Sequence, residues 1–357
     1  MDISRSGAAR VVVVGASGNV GTGVLAALGG SAHVADITAL ARRPPTRPGP
    51  KISWRAADIT GDDLAGVFAG ADVVIHLAWL FQPTHDPAAT WRTNVLGSAR
   101  VFDAVARAGV PALVVASSVG AYSPGPPDDR AVEEDWPTDG WPGAAYTREK
   151  AYVERLLDVF ERDHPRVRVV RLRPGFIFQR PAASQQRRLF MGPFVPGGLV
   201  RAATVPLVPD IAGLRFQVVH ADDVAEAYGL AAERDVRGAF NIAAEPVVDC
   251  RVLADLLDAR AVRMPPRAVR AALVGAWRLH LVPTDPGLFD AVMRLPVMST
   301  ARARAELGWA PRHNSLAALR DFLAGLQEGA GASTAALAPA TLTGRAGEVL
   351  TGVGGRA

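Results

Sequence analysis

The chain has 357 residues, 49% hydrophobic and 21% charged, with a formal net charge of +4 and a pI near 9.7. This is the make-up of an ordinary soluble protein of one large domain or two unequal ones, and its arginines are interleaved with 35 carboxylates, which argues against a nucleic-acid partner. No stretch reaches the ~18 uninterrupted apolar residues of a bilayer span, so no membrane partner is expected, and the single Cys250 excludes an internal disulfide and fits a cytoplasmic setting.

The polar lead at residues 2–10 runs directly into a strand, which is not the pattern of a secretion signal. Val11, Val12, Val13 and Val14 form a β-branched run without alternation, as in a strand buried on both faces of a parallel sheet. The run enters Gly15-Ala16-Ser17-Gly18-Asn19-Val20-Gly21 and then a helical stretch from residue 22 to 28. Glycines allow a tight turn and close backbone approach, and a helix N-terminus offers free N–H groups to a pyrophosphate. Gly15, Ser17, Gly18, Asn19, Val20 and Gly21 are therefore candidate cofactor ligands.

A second strand at 37–41 ends on Arg42-Arg43, where a carboxylate would suit a ribose 2′-hydroxyl and arginine suits a 2′-phosphate. This favours NADP, with NAD as the alternative. A proline-rich loop at 44–50 precedes a third strand at 52–56, which leads to Asp58 and Ile59 at the expected adenine end. A short helix at 64–68 and a buried strand at 72–77 bring the chain to Leu77, Ala78 and Trp79. A long helix is expected over 91–108, carrying Asn94, and a fifth strand at 113–116 ends at Ser117-Ser118. The Pro/Asp/Gly-rich stretch 123–144 is long enough for a substrate-facing lid.

The next helix, at 144–162, holds Tyr146 and Lys150, one turn apart and so on one face. The chain has only two lysines, Lys51 and Lys150. An ammonium beside a phenol lowers the phenol's pKa towards the range of a general acid/base. A sixth strand at 167–172 ends at Arg173-Pro174-Gly175-Phe176. Strand–helix alternation predicts a Rossmann-type doubly wound parallel sheet, whose ligands bind beyond the strands' carboxyl ends. Residues 10–178 are assigned to this dinucleotide-binding domain, with 215–244 returning to it. The aperiodic stretch 179–214, together with 245–328, is assigned to a smaller substrate lobe. Residues 329–357, poor in large apolar side chains, are expected to be a flexible tail. The stretch at 277–281 admits an amphipathic, membrane-seeking reading, but it is short, and packing within the lobe is expected.

Taken together, these motifs resemble the extended short-chain dehydrogenase/reductase family, which includes NAD-dependent epimerases and dehydratases. The likeness rests on the glycine turn, Asp58, Asn94, Ser117-Ser118-x-x-x-Tyr122, Tyr146-x-x-x-Lys150, Arg173-Pro174-Gly175, His220-Ala-Asp-Asp-Val and Glu306-Leu307-Gly308-Trp309-x-Pro311. It implies that Tyr146 is the acid/base, that Lys150 binds the nicotinamide ribose, and that Ser118 holds the reacting oxygen. It also implies that Pro174, Gly175 and Phe176 line the nicotinamide. Trp79, Phe81, His85 and Tyr122 are candidates for the pocket or the core, and His76 and His220 for structural roles. The implied activity is that of an oxidoreductase or epimerase on a small molecule, with a nucleotide-sugar epimerase/dehydratase and a non-catalytic dinucleotide sensor as alternatives. The long helices suggest a homodimer. Phe216 stands where sugar-nucleotide enzymes commonly place an arginine, which tilts the reading towards an NADP-linked reductase of a smaller or more apolar carbonyl compound.

Overall fold

The computed structural model describes residues 8–46, 49–194, 206–350 and 352–354. Parts of the proline-rich loop, of the substrate lobe (195–205) and of the tail lie outside the described residues. The strands are β1 (Ala9–Val14), β2 (Val34–Ala41), β3 (Ile52–Ala56), β4 (Val73–His76), β5 (Ala112–Ala116), β6 (Arg168–Pro174), β7 (Phe176–Phe178), β8 (Leu207–Asp210), β9 (Arg215–His220), β10 (Gly238–Ile242), β11 (Ala244–Asp249) and β12 (Arg260–Arg263). The central sheet has the order β10-β6-β5-β4-β1-β2-β3, and all its pairings are parallel. The chain reverses its direction of build-up between β1 and β4, and such a switch point opens a crevice at the strands' carboxyl ends.

The apolar strand runs divide by parity. Val11, Val13, Ile37, Ile75, Val114 and Leu172 face α1 (Asn19–Gly30) and the helix Ala221–Glu233, while Val12, Val14, Leu40, Val74, Leu113 and Val115 face the opposite helical layer. Covering both faces is what a β-branched run without alternation requires.

The expected helix over 91–108 is longer and has a fault in it. It comprises α2 (Pro87–Trp91), a π-helical turn at Arg92–Leu96 and α3 (Gly97–Arg107). The fault lies at Asn94, which is fully buried. A π-bulge re-aims a side chain, and such bulges are frequent at functional sites.

Other expectations are corrected. The stretch 123–144 is pinned, not a free lid. Val132 is buried and bridges to Met298, Glu134 accepts from the Asn241 backbone, and Gly140 N–H donates to the Ala121 carbonyl. β9 does not join the central sheet but pairs with β7 and β11, although β10 does return to it. The short parallel pair β8–β12 has no counterpart in the sequence reading. The tail is also folded on the body where it is described. Arg188 donates to the Ala336 and Ala338 carbonyls, Leu337 is buried, and Glu348 of the helix Leu342–Leu350 pairs with buried Arg187 at 2.9 Å. Partners and backbone acceptors hold this segment where apolar area is scarce.

Candidate active site

The glycine turn ends β1 at the switch point. Gly15 has φ +85° and lies so close to β4's exit that a Cβ there would meet the Ala78 backbone nitrogen at 2.6 Å. At Gly21 a Cβ would meet the Ala16 carbonyl at 2.6 Å. α1 begins at Gly18 without a side-chain cap and without acidic residues in its first turn, so its N–H groups and dipole are available to an anion. These features fit a dinucleotide pyrophosphate.

Neighbouring candidates divide. The side chain and backbone carbonyl of Asn19 both accept from Gln179, which ties the turn to β7's end. The Ser17 carbonyl accepts from Thr334 of the tail at 2.8 Å. Val20 and Leu77 pack against the core beneath the turn. Ile59 departs from expectation: its side chain is buried against Gly97, and its carbonyl accepts from Arg100, so only its backbone borders the crevice. Asp58 accepts from the Thr60 backbone and hydroxyl; these bonds and Arg42 hold its carboxyl below the usual range against the opposing cost of burial. Arg42 and Arg43 are both exposed at β2's end. Pro174 is buried, Gly175 must be glycine because a Cβ would meet the Gln217 carbonyl at 2.5 Å, and the Phe176 ring packs on Phe216 of β9.

Across the crevice, the helix Ala145–Asp163 brings Tyr146 to β5's end. The Tyr146 hydroxyl donates to Ser118 Oγ at 2.9 Å, and the Gly120 N–H donates to the same oxygen at 3.0 Å. With two bonds accepted, the Ser118 hydroxyl keeps its own hydrogen for a further acceptor. Gly120 leaves room for this contact, since a Cβ would sit 2.8 Å from the Tyr146 ring.

Lys150 is buried on the same helix. Its amine donates to the Ala116 carbonyl at 2.7 Å and lies 3.5 Å from the Trp79 ring centroid. Burial lowers its pKa to about 7, against the opposing pull of Glu154 and Glu149. Burial raises Tyr146 to about 12, against the opposing pull of the Ser118 hydrogen bond. Tyr146 is therefore a neutral, proton-bearing phenol in this state.

Three polar residues hold the wall of the site. Asn94 accepts from the Leu80 N–H (2.7 Å), donates to the Leu80 carbonyl (2.8 Å) and to Glu149 (2.7 Å). Glu149 also accepts from Thr90 at 2.6 Å, and burial raises its pKa. The clamped loop lays Phe81 parallel to the Tyr146 ring at 5.2 Å and sets Trp79 edge-on at 5.8 Å. Tyr146 then borders a narrow cleft lined by Leu80, Phe81, Pro83, Leu189, Phe190 and Leu288, with Thr90, Glu149 and Asp285 among its polar lining. Thr90 and Glu149 were missed in the sequence, where nothing marks their pairing across 59 residues.

Behind the site, Glu154 joins Ser117 (2.5 Å) to Arg173 (2.9 Å) and Arg171 (2.9 Å). Arg173 also donates to Tyr122, whose hydroxyl donates to Asn241, so Tyr122 belongs to the core. His76 is buried against Ser98 with its pKa lowered to about 3 by burial, and His220 caps the helix Ala221–Glu233. His85 stacks on Trp277 at 4.1 Å.

A parallel sheet of this order, with a glycine turn at its switch point and a Tyr–Ser pair facing it, defines a dinucleotide-binding α/β protein of the dehydrogenase type. Residues 11–243 match the NAD dependent epimerase/dehydratase family, and the chain belongs to that family. A relative from Stigmatella aurantiaca, 4-hydroxy-2-methyl-3-oxo-4-farnesyl-3,4-dihydroquinoline-1-oxide ketoreductase, is 30% identical over 326 residues, 85% of this chain and 92% of its own. An uncharacterized protein of Mycobacterium tuberculosis is 27% identical over 283 residues, 75% of this chain and 70% of its own. Among solved structures, UDP-glucose 4-epimerase of Thermus thermophilus in complex with NAD has a TM-score of 0.66 at 21% identity, covering 89% of this chain and 99% of that one. UDP-glucose 4-epimerase of Thermotoga maritima with UDP-glucose has a TM-score of 0.68 at 18% identity, with the same coverage. These two share its fold.

Proposed function

We propose that the protein is an NAD(P)-dependent oxidoreductase that reduces a carbonyl group, or oxidises the corresponding alcohol, on an apolar substrate. The observation that carries this reading is the Tyr146–Ser118 hydrogen bond beside an aromatic cleft that Tyr146 itself lines. The nicotinamide cofactor supplies the hydride when bound. Residues of the glycine turn hold its pyrophosphate, and Ser118 offers its free hydrogen to the substrate oxygen. Tyr146, kept neutral by burial, delivers the proton to that oxygen in the reductive direction. Phe81 and Trp79 exclude water from the phenol, and Asn94, Thr90 and Glu149 position them. Residues 179–214 and 245–328 form the substrate lobe, and exposed Leu96, Tyr152 and Val159 on the paired long helices support a homodimer.

The apolar lining supports a hydrophobic carbonyl compound, and the Stigmatella relative, a ketoreductase of a farnesylated dihydroquinoline oxide by name, supports the same class. The nucleotide-sugar reading draws on the fold shared with the epimerases. Against it, Phe216 packs on Phe176, and Arg215 is engaged by Asp129 and the Leu295 carbonyl, so neither is free for a diphosphate. The test is absorbance at 340 nm with NADPH or NADH and a panel of aryl and prenylated ketones beside UDP-sugars. Stoichiometric cofactor consumption with the apolar ketones is expected. Interconversion of UDP-sugars with the cofactor retained would replace this reading by the epimerase one, and inertness across both sets would leave a binding protein.

The exposed Arg42 and Arg43 support NADP. Arg42→Asp is expected to weaken NADPH binding roughly tenfold or more while leaving NADH binding unharmed, since a 2′-phosphate loses a charge-assisted partner. Fluorescence titration of both cofactors checks it; equal weakening of both would remove the preference.

A further inference from the structure

Residues 259–284 hold five arginines, Arg260, Arg263, Arg267, Arg270 and Arg278, and no carboxylate. The whole chain's formal net charge is +4, so the residues outside this segment sum to −1. The segment folds as β12 and the 13-residue helix Pro266–Arg278. Every residue of β12 is exposed, and no residue of the helix is buried. Arg270 pairs with Asp290 at 2.8 Å. Among the described residues, none of the other four arginines has a carboxylate partner.

The helix turns Leu273 and Trp277 partly inward and presents Arg267, Ala268, Ala271, Ala272 and Arg278 to solvent. Apolar side chains stand out at both ends: Val262 and Met264 before it, and Leu279 (71% exposed) and Leu281 (44%) after it. Thirteen helical residues separate these two groups by about 20 Å. The second group adjoins the mouth of the cleft. The Thr284 hydroxyl donates to the Phe190 carbonyl at 2.5 Å, and Gly192 sits against Pro283 and the Leu281 carbonyl. Exposed Phe194 follows two residues on, and Phe190 and Phe81 continue the apolar rim inward to Tyr146.

We propose that this face docks on an anionic lipid surface, with the arginines at the headgroups and Val262, Met264, Leu279 and Leu281 in the acyl boundary, so that the cleft opens at the membrane. Unpaired arginines flanked by aliphatic side chains on a solvent-facing helix match an interfacial helix rather than a crossing one. None of the described helices is long and apolar enough to cross a membrane. A nucleic acid would use the charge but leave the aliphatic groups in water. A second copy would bring the same unpaired positive patch against itself across a two-fold axis. Docking does not depend on which reaction the cleft performs.

The test is co-sedimentation of the full chain with vesicles of phosphatidylcholine alone and of phosphatidylcholine with about 30% phosphatidylglycerol. Binding roughly tenfold or more tighter to the anionic vesicles is expected, as is its weakening by salt. Leu279→Asp/Leu281→Asp and Arg267→Glu/Arg278→Glu are each expected to abolish it, with thermal unfolding and cofactor affinity unchanged. Equal partition to both vesicles, no partition, or full binding by both variants overturns the proposal. So does light scattering that shows a dimer dispersed by the leucine variant, because the face then belongs to a second copy.

Discussion

Replacing Tyr146 by phenylalanine is expected to lower kcat by roughly 10²–10⁴-fold with little change in cofactor affinity or thermal stability. Phenylalanine keeps the stack on Phe81 and the edge contact with Trp79, and removes only the hydroxyl that donates to Ser118. Loss of one buried hydrogen bond costs about 1 kcal/mol, so the fold survives. Since burial lifts the phenol to about 12, it remains protonated throughout the neutral range and serves as the proton donor in reduction. Steady-state kinetics on the best ketone substrate, beside calorimetry of the same preparations, checks this outcome. A variant within a few fold of the native kcat would remove Tyr146 from the chemistry and leave the cleft a binding site.

A substitution behind the site is expected to unfold the protein more readily than any other described here. Glu154 is fully buried and is the shared anion of Arg171 and Arg173, which donate three bonds to it, with Ser117 donating a fourth. Glu154→Gln leaves two buried guanidinium groups short of a counter-charge, for which the typical cost is about 3–5 kcal/mol. Arg171 retains Asp158 and Glu161, and Arg173 retains Tyr122 and the Glu134 carbonyl, which places the effect at the lower end. In a chain of 357 residues that corresponds to a fall in Tm of roughly 4 °C.

Acid should reveal the same group. Burial alone would raise Glu154, but the two arginines and Ser117 outweigh it and hold the carboxyl at about 2, below its ordinary 4.5. The folded state therefore binds this proton less readily than the unfolded chain. The stabilisation is complete above about 4.5 and is lost as pH falls from there towards 2. Glu154→Gln should lower Tm at pH 7 and flatten its pH dependence over that window. An unchanged Tm, or an unchanged acid slope, would show that the arginines are satisfied without it.

The features that were legible in the sequence are those whose cause lies within about ten residues. Four consecutive valines fix a strand buried on both faces. Glycines at 15, 18 and 21 between a strand and a helix mark the turn, and a four-residue spacing puts Tyr146 and Lys150 on one helical face. Only the tertiary structure decided what those side chains meet. Lys150 donates to Ala116, 34 residues away, and lies over the Trp79 ring, contacts that helical spacing does not foretell. Ile59 enters the core through Gly97, Asn94 grips Leu80 and Glu149, and the tail is held by Arg187 and Arg188 across about 150 residues. Periodicity and turn chemistry act along the chain, whereas the burial of a polar or charged group depends on a partner brought to it through space, and that pairing leaves no mark on local order.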